Sequence, residues 1–178
     1  MARQAYPLSD VHALLEPGPV VLLSSAAAGR PNVMTQSWHT LIEFEPPLVG
    51  CVISARNHSF AAIDGAGECV INVPAAGLAP AVVGCGNCSG ADIDKFAAFG
   101  LTPESAHGVA APLIRECFAN LECRLADRSL VARYGLFIFE VIHAWHDPDL
   151  PHEPTLHHRS YGDFVLSGRP IALPSKAR

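Results

Sequence analysis

The chain lacks any apolar run approaching the ~20 residues that a membrane-spanning helix needs. Met1 to Asp10 has neither the charged start nor the apolar stretch of a signal peptide. The expected location is therefore the cytoplasm, away from a membrane. Positive charge is also lacking. A net charge of −5 argues against a nucleic-acid binder, although it leaves room for a locally positive pocket. Charged residues are sparse at 16% against 49% apolar, a balance foreign to long disorder. No dinucleotide fingerprint, internal repeat or dividing linker is present. The 178 residues suffice for one domain with a real core, and a single domain over 1–178 is expected.

Turn formers are plentiful. Fifteen prolines and fourteen glycines suit short strands better than a helical bundle. The stretch Asn32 to Thr40 alternates β-branched and aromatic residues with small polar ones, so it reads as one strand. Val33, Thr35, Ser37 and His39 would share one face, and Asn32, Met34, Gln36 and Trp38 the other. The two hydroxyls, Thr35 and Ser37, fit either ordinary cross-strand pairing or an anionic ligand.

A capped helix is expected from Ser9 to Leu15. Strands are expected over Pro19–Ala26, Leu48–Ala55, Glu68–Val73, Ile114–Ala126 and Tyr134–His146. Short helices fit Phe60–Asp64, Ala75–Gly84 and Asp92–Phe99. Cys85 to Gly90 reads as a loop, and Leu156–Leu166 as short strands. On the strand from Tyr134, Phe137, Phe139, Val141, His143 and Trp145 would share a face. The sum is a β-rich barrel with short helices between strands.

Seven pieces in order, NVMTQSW, PPLVGCVIS, HSFAAI, GECVINVP, SGADIDKF, APLIRECFANLECRL and TLHHRSYGDF, resemble the flavin reductase-like, flavoredoxin-type FMN-binding proteins. The resemblance covers about Pro19 to Leu173. It implies a split β-barrel, usually a homodimer with FMN near the subunit interface. It implies FMN as cofactor and NADH or NADPH as electron donor. The partner would be a monooxygenase, in a two-component system, or another redox protein. A non-enzymatic FMN electron carrier is the alternative, and a haem- or metal-binding barrel using histidines a more distant one.

Carried over by motif, Asn32, Met34, Thr35 and Ser37, with Gln36 among them, would meet the flavin and its ribityl phosphate. Ser54, His58 and Ser59 match the next segment, Asn72 another, and Ser89, Gly90, Asp94, Lys95 and Phe96 the last. Arg56 and Lys95 are cations a phosphate would want. Lys95 as a solvated helix residue stays open, and Asp94 suits a helix N-terminus better than a flavin contact. His157 and His158 are candidates for the nicotinamide side. No side chain is expected to act as acid or base, because the flavin carries the chemistry.

Cys85-x-x-Cys88 departs from the family. Two plain thiols, a redox dithiol and half of a zinc site all fit it, and no second C-x-x-C exists to complete zinc. Cys117 and Cys123 are expected on one face of one strand, in the core. His143 and His146 should face opposite ways, which weakens a metal reading. Trp38 and Trp145 fit core or dimer packing.

Overall fold

The computed structural model describes residues 3–11, 15, 18–152 and 154–174. The expected helix to Leu15 runs through residues 12–14, which lie outside the described residues; a single 3-10 turn covers Leu8–Asp10.

The strands are β1 (Gln4–Ala5), β2 (Val21–Ala27), β3 (Arg30–Gln36), β4 (His39–Phe44), β5 (Pro47–Val52) and β6 (Glu68–Val73). After them come β7 (Pro103–Glu104), β8 (Leu113–Ile114), β9 (Ala119–Asp127), β10 (Leu136–His146), β11 (Leu156–Ser160) and β12 (Asp163–Leu166). Among the described residues, the short helices α1 (His58–Ala66), α2 (Ala79–Asn87), α3 (Lys95–Phe99) and α4 (Val131–Tyr134) lie between them. No helix among the described residues is long and apolar enough to cross a membrane.

The main sheet runs β3-β2-β6-β9-β10-β5-β4, with β1 added to β10. Its two ends, β3 and β4, are consecutive in sequence. Laid flat, six spacings of ~4.8 Å would hold those ends about 29 Å apart. Only Ser37 and Trp38 join them, and three residue steps reach roughly 11 Å. The sheet must therefore curl until its ends meet, which makes it a barrel. It is a split one, because β3 and β4 form no ladder with each other.

The seam is held by other means. Gln36 Nε2 donates to the Val52 carbonyl at 2.9 Å, and the Val52 N–H donates to the Trp38 carbonyl at 2.9 Å. The single strand expected from Asn32 to Thr40 is thus two strands. The Gln36 side chain also pairs with both backbone groups of Trp38 at 3.4 Å. That local capture competes with a continued ladder. At the other end of β3, Ala28 and Gly29 both take positive φ, 49° and 76°. This is the paired left-handed geometry of a tight hairpin, and it matches strand twist.

The barrel interior holds Leu23, Met34, Cys51, Ile71, Leu121, Phe137 and Phe139 among others. Phe137 and Phe139 lie parallel at 5.8 Å, with Phe60 edge-on to Phe137 at 5.4 Å. A second cluster lies outside the barrel wall. There Leu22 and Val33 pack against Val82, Cys85 and Phe96 of α2 and α3. β2 is therefore buried on both faces, as its continuous apolar run requires.

Four further expectations are corrected. β10 bulges between Val141 and His143, which pair with Cys123 and Glu122. The extra residue flips the alternation, so Ala144 enters the core and His143 and Trp145 leave it. Cys117 precedes β9 and packs in the outer cluster, whereas Cys123 packs in the barrel. Cys85 is helical, not in a loop, because α2 runs to Asn87. The turn expected at Asp127–Arg133 contains the start of α4.

Asn72 binds the layers together. Its Nδ2 donates to the Leu22 carbonyl (2.9 Å), Ser24 Oγ (3.1 Å) and the Val70 carbonyl (3.2 Å). Its Oδ1 accepts from the Ile114 N–H (2.9 Å) and Asn120 Nδ2 (2.7 Å). Asn72→Ala should cost about 2–4 kcal/mol, because it strands buried partners on four strands. Urea unfolding measures this, and a loss below ~1 kcal/mol would remove the node from the account.

Candidate functional site

Curling a sheet whose ends do not pair leaves a cleft along the seam. Two adjoining compartments lie there. The larger, about 860 Å³, is lined by Thr35 to Trp38 at the seam and by Val52 to Ala55 beyond β5. Phe60, the α2 face at Val82, Val83 and Gly86, the α4 segment Val131–Gly135 and the hairpin residues His158, Tyr161 and Phe164 complete it. Gly135 is needed here. Its φ is 65°, and a Cβ would lie 2.4 Å from the Ile53 carbonyl oxygen.

The smaller compartment, about 210 Å³, is lined by Met34, Thr35, Arg56, Asn57, His58, Ser59, Cys85, Gly86, Cys88, Ser89 and Lys95. Thr35, Asn57 and Gly86 line both, so the two spaces adjoin.

The small compartment is built for negative charge. Lys95 is only 5% exposed, and its Nζ donates to the Cys85 carbonyl at 2.7 Å. Among the described residues no carboxylate lies within salt-bridge reach of it. A buried ammonium without an acid is costly. An anion in the adjoining space would offset that cost. Asp94 is not the counterion, because its carboxylate caps α3 by accepting from the Phe96 and Ala97 N–H groups. The N-terminus of α1 adds to the field. Asn57 stands at its cap position but makes no side-chain cap bond, while His58 and Ser59 line the space. An uncapped helix start favours anions. Arg56 brings a second, exposed cation.

The motif residues divide into three groups. Met34, Thr35, Gln36, Ser37, Ser54, Arg56, His58, Ser59, Ser89, Lys95 and His158 line the cleft. Asn32 and Gly90 stand one layer behind. Asn32 Nδ2 donates to Ser59 Oγ at 2.9 Å, and a Cβ on Gly90 would collide with the Asn32 amide. Asn72, Phe96 and His157 do not line it. Asn72 is enclosed in its node, Phe96 is buried in the outer cluster, and His157 Nε2 pairs with Thr155 Oγ1 at 2.9 Å. Thr35 and Ser37 both line the larger compartment, though they do not lie on one strand. The Thr35 hydroxyl donates to the Val82 carbonyl, tying β3 to α2, and Ser37 sits past the strand end in the seam.

Sequence reasoning missed Asn57, the α4 segment, Tyr161, Phe164 and the entry of Cys85 and Cys88 into the small compartment. Asn57 stands at the N-cap position of α1 without capping it. Its amide instead reaches Met34 Sδ at 3.9 Å. Trp38, expected in the core or at a dimer contact, is not in the core: it is 70% exposed and lines the larger compartment. Among the described residues no group of three or more His, Cys, Asp or Glu could hold a metal ion.

A family model described as the flavin reductase like domain matches residues 14–164. The uncharacterized protein YddH of Escherichia coli is 32% identical over 181 residues, covering 93% of this chain and 96% of its own length. A crystal structure of an FMN-binding domain of a flavin reductases-like enzyme from Shewanella baltica superposes with a TM-score of 0.90. It is 28% identical and covers 97% of this chain and 98% of that one. Flavoredoxin of Desulfovibrio vulgaris shares the fold at a TM-score of 0.81, with 23% identity and 90% and 92% of the two chains covered.

The lone buried ammonium has a measurable consequence without any ligand. Lys95→Met keeps the stem and removes the charge. It should raise the unfolding free energy of the ligand-free protein by about 1–2 kcal/mol. A clear loss in urea titration would mean that the bond to the Cys85 carbonyl outweighs the desolvation of the charge.

Proposed function

We propose that this chain, which belongs to the flavin reductase-like domain family, holds FMN in the seam cleft and uses it to move electrons from NADH or NADPH. The observation that carries the reading is the pairing of a wide compartment with a small cationic one. FMN has that same division, a flat ring at one end and a phosphate at the other. Lys95, Arg56, Ser59, Ser89 and the α1 N-terminus would hold the phosphate. Thr35, Gln36, Ser37 and Ser54 would meet the ring edge and ribityl chain, with Ile53, Phe60 and Val82 giving apolar walls.

When bound, FMN supplies a centre that takes up a hydride and passes electrons onward. The chain positions reactants and excludes water. Thr35, whose hydroxyl is donated to Val82, offers the cleft acceptor lone pairs. Ser59 accepts from Asn32, which leaves its own O–H free to donate to a phosphate oxygen. The larger compartment lies high in the ~300–1,000 Å³ range of small-molecule sites, leaving room for a second planar group. His158 and Arg133 stand around that room. Arg133 lies 5.0 Å from the Tyr134 ring centre, a cation held by an aromatic face at the opening.

The same mouth carries exposed apolar groups. Trp38 is 70% and Tyr161 97% exposed, and both line the larger compartment. A second copy of the chain covering that mouth, in a homodimer, fits these groups. A monooxygenase or another redox protein would then take the electrons.

Titration of the purified chain with FMN should give saturable binding with a changed visible spectrum. NADH or NADPH should then bleach the flavin. Bleaching by dithionite or a protein donor alone would replace the reductase with an electron carrier. Lys95→Met should weaken FMN binding by about 10- to 100-fold, as expected for one hydrogen bond to a charged group. Unchanged affinity would place the phosphate elsewhere.

A further inference from the structure

Cys85 and Cys88 have no part in the reading above, yet both line the anion compartment. Cys51, Cys69, Cys117 and Cys123 are fully buried and line neither compartment. Cys88 is only half-buried and stands at the C-cap of α2. Its thiol donates to the Gly84 carbonyl at 3.2 Å. Cys85, one turn earlier, is 1% exposed. Its carbonyl is the acceptor that holds Lys95 Nζ at 2.7 Å.

We propose that Cys85 and Cys88 form a thiol switch on the anion compartment: a disulfide between them lowers its affinity for a phosphate-bearing ligand. The coupling follows from geometry. Helix positions three apart hold their Cβ atoms ~5–6 Å apart. A disulfide requires ~3.5–4.5 Å. Closing it draws the end of α2 together and takes Cys88 from the Gly84 carbonyl. The parts that shift are the Cys85 carbonyl, which anchors Lys95, and Ser89 beside Cys88, both at the same compartment. The ligand reciprocally shields the thiols, because linkage between two sites is mutual.

The oxidant is a hydroperoxide. The accessible Cys88 sulfur attacks the peroxide O–O bond, giving a sulfenic acid and an alcohol, or water from hydrogen peroxide. Cys85 sulfur then attacks the sulfenic sulfur, and water leaves. Two thiols lose two electrons and two protons, and the peroxide oxygens gain them. Burial pushes the Cys85 thiol up to about 11, against the Lys95 charge, so the more accessible Cys88 is the sulfur that meets the peroxide first.

The affinity half of this switch rests on the flavin reading, and the experiment separates the two. The full chain, reduced, is treated with hydrogen peroxide, mapped by peptide mass, and titrated with FMN before and after. A disulfide joining Cys85 to Cys88 should form. FMN affinity should fall at least about tenfold, the loss of one charge-assisted bond. Dithiothreitol should restore it, and saturating FMN should slow the oxidation. Cys88→Ser and Cys88→Ala should show no peroxide effect relative to their own untreated affinities. Failure of the disulfide to form, or its formation with unchanged affinity, overturns the switch while leaving FMN binding intact. A reduced chain that takes up no FMN overturns the flavin reading and the coupling with it.

Discussion

The two-residue link between β3 and β4 governs this structure. A short link between the ends of a seven-strand order leaves the sheet one option, which is closure. Complete closure would pair β3 with β4 and seal the wall. The Gln36 side chain instead takes the backbone groups of Trp38 and Val52. The ends meet without a ladder, and the cleft occupies the seam. Barrel and cleft therefore have one cause.

The cleft's two halves differ because different elements reach the seam. Strand ends, α4 and the β11–β12 hairpin bring apolar faces and backbone edges to the larger half. Helix ends bring charge to the smaller half: the start of α1, the start of α3 with Lys95, and the end of α2. Lys95 is the costliest of these. It sits at the first position of α3, where Asp94 has already committed its carboxylate to two N–H groups. The acid that could neutralise it locally is used for capping. The charge stays beside the compartment without a carboxylate among the described residues to neutralise it.

Much of the fold was legible in the sequence. Glu68–Val73 is a strand over the residues expected, and the apolar run of β2 is buried on both faces as such runs are. The misreadings share a physical origin. A bulge inserts one residue without leaving a compositional mark, so His143 and Trp145 were placed on the wrong face. A side chain that captures its neighbour's backbone looks like any strand residue, so Gln36 hid the break at Ser37. Cys117 and Cys123 keep strand spacing in sequence, but the chain turns between Ile114 and Ala119. Nothing local reports a turn set by long-range contacts, such as those that Arg3 makes to Ile114 and Asn120.

The same limit explains the site. Sequence order marked which segments converge, and eleven motif residues do line the cleft. It could not separate residues that shape the cleft from residues that face it. Hydrogen-bond accounting does. Asn72 has both amide atoms fully engaged by five partners, so it has nothing left to offer a ligand. Lys95 has three donors and one protein acceptor. Ser59 accepts from Asn32 and keeps a donor. Polar groups with spent valences hold the walls in place, and those with valences in reserve point at whatever fills the space. By that criterion the small compartment is the unsatisfied part of the protein, and Asn32, Asn72 and Gly90 are the framework that keeps it so.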